Sequence, residues 1–208
     1  SKDYYEPDEE IRLNFTLIGD AIRHLYVFIR AMEHLGINGI GKGRGRFYIH
    51  DASTALFDLK DVFNYKKGQM GHITVELLTH LKLKDTETGI HYSDIAFKTF
   101  FKHLIKRIIN LNNLYCGGMD FDRDKVEAES RRLQSVAEAI KTESYTECKD
   151  YQRFSSRQNK SMKIGGLIGL IKLSGDLSPF YPYLKIGEVI GVGQHTTSGF
   201  GRYKLMPM

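Results

Sequence analysis

The chain has 208 residues, 41% of them hydrophobic, and its 30 basic and 25 acidic side chains give a net charge of +5. This length and apolar content suffice to bury one sizeable core and exclude a disordered chain, while the mild positive charge fits a nucleic-acid partner. Cys116 and Cys148 lie in no metal-binding or disulfide framework, which indicates a reducing, cytoplasmic setting. No apolar run approaches the roughly 20 residues that span a bilayer, so we expect no membrane segment.

The first quarter of the chain predicts a strand, a helix and a second strand. Residues 1–10 include five acids and are typical of a linker or a processed N-terminus. Residues 11–17 alternate apolar with polar side chains, the pattern of a strand with one buried face. Asp20 then begins a helix whose apolar residues recur at steps of three and four up to Gly36. A second alternating segment over 47–49 predicts the next strand.

The remaining elements indicate an α+β protein with an inserted helical segment over about 93–142. One domain is predicted over 11–208 because no linker interrupts the pattern. In chain order we expect a bulged strand over 73–83, a long helix opened by Ser93, a polar helix over 124–141, two β segments within 145–175, a helix capped by Ser178 and Pro179 and ended by Gly191, and a last strand over 202–205.

Two glycine-rich stretches raise the question of a nucleotide. "GIGKGRGRF" (39–47) and "GVGQHTTSGFGRYKL" (191–205) both leave a predicted helix and enter a strand. Dinucleotide-binding glycines leave a strand and open a helix instead, and the phosphate-loop spacing is absent, so we expect no nucleotide cofactor. No metal ligand set is found either.

Three segments have the chemistry of an RNA-binding surface. Glycine lets a phosphodiester approach the main chain, arginine suits phosphate, and aromatic rings stack bases. The alternatives are a plain helix-to-strand connection at 39–47, a solvated basic turn at 151–163, and a tight turn at 191–202 with its polar residues facing water. The predicted RNA-binding residues are Lys42, Arg44, Arg46, Tyr151, Arg153, Arg157, Lys160, Lys163, Gly191, Gly193, Gln194, Thr196, Thr197, Gly199, Gly201 and Arg202.

Two of the eight histidines have surroundings that suit proton transfer. His50 stands beside Asp51 at a predicted strand end, and His195 lies inside the polar glycine loop. Either is a candidate catalytic residue, since imidazole is the usual proton-transfer group near neutral pH. Other histidines lie on predicted helices or, like His80, have no evident companion.

The order of three distant motifs resembles a known family. "FTLIGDAIRHLYVFIRAMEHLGINGIGKGRGRF", "RFSSRQNKSMKIGG" and "GDLSPFYPYLKIGEVIGVGQHTTSGFGRY" are similar to the C-terminal region of the CRISPR-associated repeat-processing endoribonucleases of the RAMP superfamily. The resemblance implies a ferredoxin-like βαββαβ core and binding of CRISPR repeat RNA. It also implies metal-independent cleavage, in which the 2′-hydroxyl attacks the adjacent phosphate.

The resemblance leaves one alternative open. Family members usually carry two ferredoxin-like domains, so an N-terminal domain with part of the active site is expected to precede this chain in the native protein. A noncatalytic RAMP subunit that holds RNA within a CRISPR effector complex is therefore the competing function. Repeat RNA is the expected partner under either function, together with other CRISPR-associated proteins.

Overall fold

A four-stranded antiparallel sheet organises the chain. The computed structural model describes residues 5–41, 43–63, 70–84, 94–116, 123–155 and 160–207. The sheet order is β2-β3-β1-β4, and every neighbouring pair is antiparallel. Its strands are β1 (His72–Leu81), β2 (Lys141–Ser155), β3 (Lys160–Ser174) and β4 (Tyr203–Pro207).

The helices complete the predicted fold class. Between residues 72 and 207 the elements run strand, helix, two strands, helix, strand, which is the ferredoxin-like order, with one additional helix in the first crossover. The α+β, ferredoxin-like prediction is confirmed. The helices are α1 (Leu25–Asn38), α2 (Leu59–Phe63), α3 (Phe97–Tyr115), α4 (Arg123–Val136) and α5 (Tyr181–Ile190), with 3-10 turns at Gly19–His24, Ala137–Ala139 and Thr196–Ser198.

The core is built from β1, the helices α3 and α5, and the inner side of β3. Along β1, Ile73, Val75 and Leu77 are each at most 6% exposed and share the face that packs on the core, while Thr74 on the opposite face is also buried. Phe101 of α3 is fully buried, and its ring centroid lies 4.9 Å from that of Phe180 in an edge-to-face contact. Such contacts add to the burial of apolar area, so this layer holds α3 and the start of α5 on the sheet.

The prediction of two strands near the N-terminus is wrong. Residues 11–17 and 47–49 have no strand hydrogen bonds, and alternate residues such as Phe15 remain 54% exposed. A strand forms only against a neighbour that takes its backbone bonds, and the described residues supply none here. The helix between them does form, because its hydrogen bonds are internal.

Several predicted boundaries also shift by a few residues. Asp20 is not a helix cap but lies within the first 3-10 turn, and α1 continues past Gly36 to Asn38. Ser178 and Pro179 belong to a turn, because the N-cap of α5 is Phe180. Other elements differ only at their ends: α3 starts at Phe97, α4 ends at Val136, and β4 runs over 203–207. No helix among the described residues has the length and apolar character to cross a membrane.

Candidate functional site

The glycine-rich loop (residues 191–201) joins α5 to β4 and is closed on itself. The amide of Val192 donates to the carbonyl of Gly201 at 2.9 Å, so the two ends of the loop meet. The amide of Gly201 donates in turn to the carbonyl of His80 on β1, also at 2.9 Å. The loop is therefore a shaped element attached to the sheet rather than a slack connection.

Two glycines of this loop permit close backbone approach within the protein. A Cβ on Gly201 would lie 1.8 Å from the carbonyl oxygen of Val192, and one on Gly193 would lie 2.6 Å from that of Lys82. Both have positive φ, +68° and +87°. The amide of Gln194 donates to Lys82 as well, at 2.9 Å. The loop's own fold thus accounts for these glycines, as the tight-turn alternative expects, and engages amides that a ligand would otherwise meet.

One segment of the loop keeps its amides available. His195, Thr196 and Thr197 donate no backbone hydrogen bond to any described residue. His195 adopts the left-handed conformation, with φ +57°, and precedes the 3-10 turn. A non-glycine residue in that conformation is uncommon and marks a locally constrained backbone. The part of the loop open to a phosphate is therefore its 195–197 tip.

The His195 imidazole packs against an aromatic ring that a second histidine also contacts. Phe200 is 6% exposed, and its ring centroid lies 5.8 Å from the His195 ring in an edge-to-face contact. The His80 ring, tilted by 37°, lies at the same 5.8 Å from Phe200. Sequence reasoning missed His80. The alternation of polar and apolar residues in "HLKLK" (80–84) could have indicated it, because it places His80 on the side opposite the buried leucines.

A bulge in β1 positions His80 beside the loop. The amides of Leu78 and Thr79 both donate to the carbonyl of Arg202, at 2.9 and 3.2 Å, so two residues of β1 face one residue across the pair. This confirms the predicted bulge, which re-aims the following side chains. The Arg202 amide donates to the Thr79 hydroxyl at 2.9 Å, which leaves the exposed arginine at the base of the loop.

Two side chains hold the end of α5, where the glycine-rich loop begins. The Arg107 Nε donates to the carbonyl of Ile190 at 2.9 Å, and the Thr16 hydroxyl donates to that of Val189 at 3.3 Å. Terminal helix carbonyls have no partner inside the helix, and a cation there complements the helix dipole. Partial burial lowers the pKa of Arg107 from its usual range through desolvation. Arg107 was not foreseen, because it lies within the apolar stripe of α3.

The basic segment at 151–163 lies in a two-stranded arm. β2 and β3 pair along their full length to Ser155 and Lys160, whereas the pairing of β3 with β1 ends at Leu167. The register places Arg153 opposite Met162 within the arm. Tyr151, Lys160 and Lys163 also lie in it, while Arg157 is outside the described residues.

The other basic stretch forms a tight turn. Ile40 and Gly45 exchange two backbone hydrogen bonds, of 2.9 and 3.0 Å, which closes the turn between them. Arg44, in the left-handed conformation, and Arg46 are exposed there, and Lys42 lies outside the described residues. His50 is exposed in a segment without regular structure, and no described contact joins it to the glycine-rich loop.

The described residues present no cluster of acidic, cysteine and histidine side chains that could hold a metal ion. Both cysteines are exposed free thiols. The polar groups gathered at the loop are imidazoles, hydroxyls, amides and cations, and these groups suit an anionic ligand.

Comparison with known proteins gives a consistent result. The family model for the CRISPR-associated endoribonuclease Cas6 matches residues 75–203, and a model described as an N-terminal domain matches residues 1–76. Among solved structures, Thermus thermophilus Cas6 is 11% identical with a TM-score of 0.53, over 72% of this chain and 58% of its own. The Cas6 in one product complex is 12% identical with a TM-score of 0.59, over 91% of this chain and 74% of its own. No curated protein sequence matches the chain.

The sheet order and these likenesses define a protein with a ferredoxin-like fold. The chain belongs to the family of CRISPR-associated endoribonucleases Cas6, whose model covers more than half of it. It spans 58% of the length of the Thermus thermophilus protein.

Proposed function

We propose that this chain binds the repeat RNA of a CRISPR transcript and cleaves it as a metal-independent endoribonuclease. The observation that carries the proposal is the Cas6 family match over residues 75–203, which includes the basic arm, the β1 bulge and the whole glycine-rich loop. Two of the similar Cas6 structures are product complexes. This reaction is therefore favoured over a noncatalytic RNA-holding role.

In the proposed reaction the upstream 2′-hydroxyl attacks the adjacent phosphorus. A base takes the hydroxyl proton, the new 2′-oxygen bond to phosphorus forms, and the bond from phosphorus to the 5′-oxygen breaks as an acid protonates that oxygen. The products are a 2′,3′-cyclic phosphate and a 5′-hydroxyl end. His195 is the candidate for one of the two proton transfers, because its imidazole is exposed beside the open amides of the loop.

Binding is assigned to the basic segments around the loop. Residues 151–163 hold four basic side chains and no acidic one, and residues 40–50 hold three and none. Cations at these positions pair with RNA phosphates and make affinity depend on salt. Under the same proposal the protein acts in the cytoplasm, where its transcript is made and where free thiols persist.

Cleavage of end-labelled repeat RNA tests this function. With excess chelator, we expect one discrete product ending in a cyclic phosphate, and His195→Ala should slow single-turnover cleavage by about 10²–10⁴-fold, the usual weight of a proton-transfer group. His72→Ala is the matched control, since His72 lies exposed at the opposite end of β1.

Three results would contradict this scheme at different points. A mobility shift without a product would support the noncatalytic RNA-holding role. Absent or salt-insensitive RNA binding would remove both functions, because phosphate contacts weaken as salt rises. An unchanged rate for His195→Ala would remove that residue from the mechanism, and His50→Ala would then be measured.

A further inference from the structure

The segment at residues 80–84, which leaves the end of β1, presents one imidazole and two ammonium groups on one side. Leu81 and Leu83 are 1% and 2% exposed and face the core, whereas His80 and Lys82 are partly exposed and Lys84 is exposed. Because side chains alternate across an extended chain, the three polar groups share the opposite side. Neither lysine forms an ion pair with a described residue.

This polar side is attached directly to the glycine-rich loop. The carbonyls of His80 and Lys82 accept the amides of Gly201 and Gln194, each at 2.9 Å. The bulge just before His80 adds two bonds to Arg202, so the backbone positions of this segment and the loop are fixed together. Groups held this way can meet one ligand without a costly rearrangement.

The His80 and His195 side chains both contact one aromatic ring. The rings of His80 and His195 both lie 5.8 Å from the buried ring of Phe200, so the two imidazole centroids are no further apart than twice that distance. His50, the other histidine nominated from sequence, has no described contact with this cluster.

We propose that His80 is the second proton-transfer residue of the cleavage site, acting with His195 on one RNA phosphodiester beside Lys82. The inference rests on the proposed endoribonuclease function. One imidazole accepts the 2′-hydroxyl proton and the other, as imidazolium, donates a proton to the departing 5′-oxygen, so protons and bonds balance without water or metal. Lys82 and Lys84 supply the positive charge that stabilises the developing negative charge on phosphate.

An RNA substrate with sulfur in place of the bridging 5′-oxygen at the mapped cleavage position distinguishes a proton-transfer role of a histidine from a purely structural role. A thiolate leaves without an acid, so this substrate restores cleavage to a variant that lacks the acid and to no other. We expect His80→Ala and His195→Ala each to slow single-turnover cleavage of ordinary RNA by about 10²–10⁴-fold. One of the two variants, and only one, should recover on the sulfur substrate.

Controls separate these effects from damage to the loop. His80→Gln keeps a polar side chain against Phe200, and it should match His80→Ala in rate while binding RNA with an unchanged Kd and unfolding at the wild-type Tm. His72→Ala should cleave both substrates at the wild-type rate.

The proposal for His80 is overturned if His80→Ala and His80→Gln cleave within about tenfold of wild type, below the usual effect of a proton-transfer group. It is equally overturned if recovery on the sulfur substrate follows any pattern other than that of a single variant. Failure of wild-type protein to cleave ordinary RNA would instead reject the endoribonuclease function itself.

Discussion

Residues 5–63 and residues 72–207 carry similar apolar patterns, but only the second region buries them. Among the described residues, every member of the hydrophobic core lies between Ile73 and Leu205. In the first region Gly36 alone is buried among the described residues, and Tyr26 and Tyr48 are 73% and 82% exposed. The difference teaches that apolar periodicity predicts a helix from local bonds alone, whereas a strand and a buried face require a partner.

Both glycine-rich stretches contain glycines of two kinds. A Cβ added at Gly43 would meet nothing within 4 Å, whereas one added at Gly39 would lie 2.2 Å from the Arg44 carbonyl oxygen. At Gly201, in the second stretch, a Cβ would strike the backbone, but at Gly199 it would meet nothing. Glycine content alone therefore does not show which glycines the backbone requires, and substitutions can test this.

The sharpest contrast is expected from truncating one phenylalanine in each region. Phe101→Ala should lower the free energy of unfolding by about 3–5 kcal/mol, since it removes a fully buried ring and leaves a cavity. Phe15→Ala removes a half-exposed ring that contacts Phe28 at 4.9 Å and should cost at most about 1.5 kcal/mol. Urea unfolding followed by circular dichroism measures both, and equal losses would mean that the first region packs as tightly as the second.

A smaller contrast is expected between glycines. Gly201→Ala combines a left-handed φ with a backbone clash and should cost about 2–4 kcal/mol. Gly43→Ala, in open space, should stay within about 0.5 kcal/mol of wild type, like most surface substitutions. Thermal unfolding measures the two costs. If Gly201→Ala were neutral, the bond between the ends of the glycine-rich loop would not fix its shape.

The sequence patterns predicted the helices, whose hydrogen bonds are local, and the strands at the centre of the sheet. The apolar runs of β1 and β3, the stripe of α3 and the stop at Gly191 all correspond to observed elements. The strands at 11–17 and 47–49 were mispredicted because alternation carries no information about whether a neighbouring strand exists. Boundary shifts, such as the start of α5 at Tyr181, arise because a turn can use the same Ser-Pro pair as a helix cap.

The candidate site was predictable only in part. The glycine spacing predicted the loop, but the sequence could not predict contacts between distant segments. These are the hydrogen bond from Arg107 to the carbonyl of Ile190, 83 positions later, and the ring contact of His80 with Phe200. Neither pair shares a motif. Both meet because α3 and β1 pass the ends of the loop, which is a property of topology and not of any one segment.

The smallest expected effect concerns one buried tyrosine at high pH. Tyr203 is buried, its hydroxyl donates to the Leu184 carbonyl at 2.7 Å, and burial, with a lesser effect of Glu188, raises its pKa well above the ordinary value near 10. Above pH 10 the unfolded chain therefore loses a proton that the native state keeps. Stability from this group is complete below pH 10 and falls as pH rises, by up to about 1.4 kcal/mol per pH unit.

Tyr203→Phe should remove that dependence. Its free energy of unfolding, measured in urea between pH 9 and 11, should decline less steeply with pH than that of wild type. The difference in slope corresponds to one proton, about 1.4 kcal/mol per pH unit. Loss of the hydrogen bond costs about 1 kcal/mol at all pH values and shifts the curve without tilting it. Parallel curves for wild type and Tyr203→Phe would show that the Tyr203 hydroxyl reaches water, and the packing of β4 on α5 would then be looser than the core of β1 and α3.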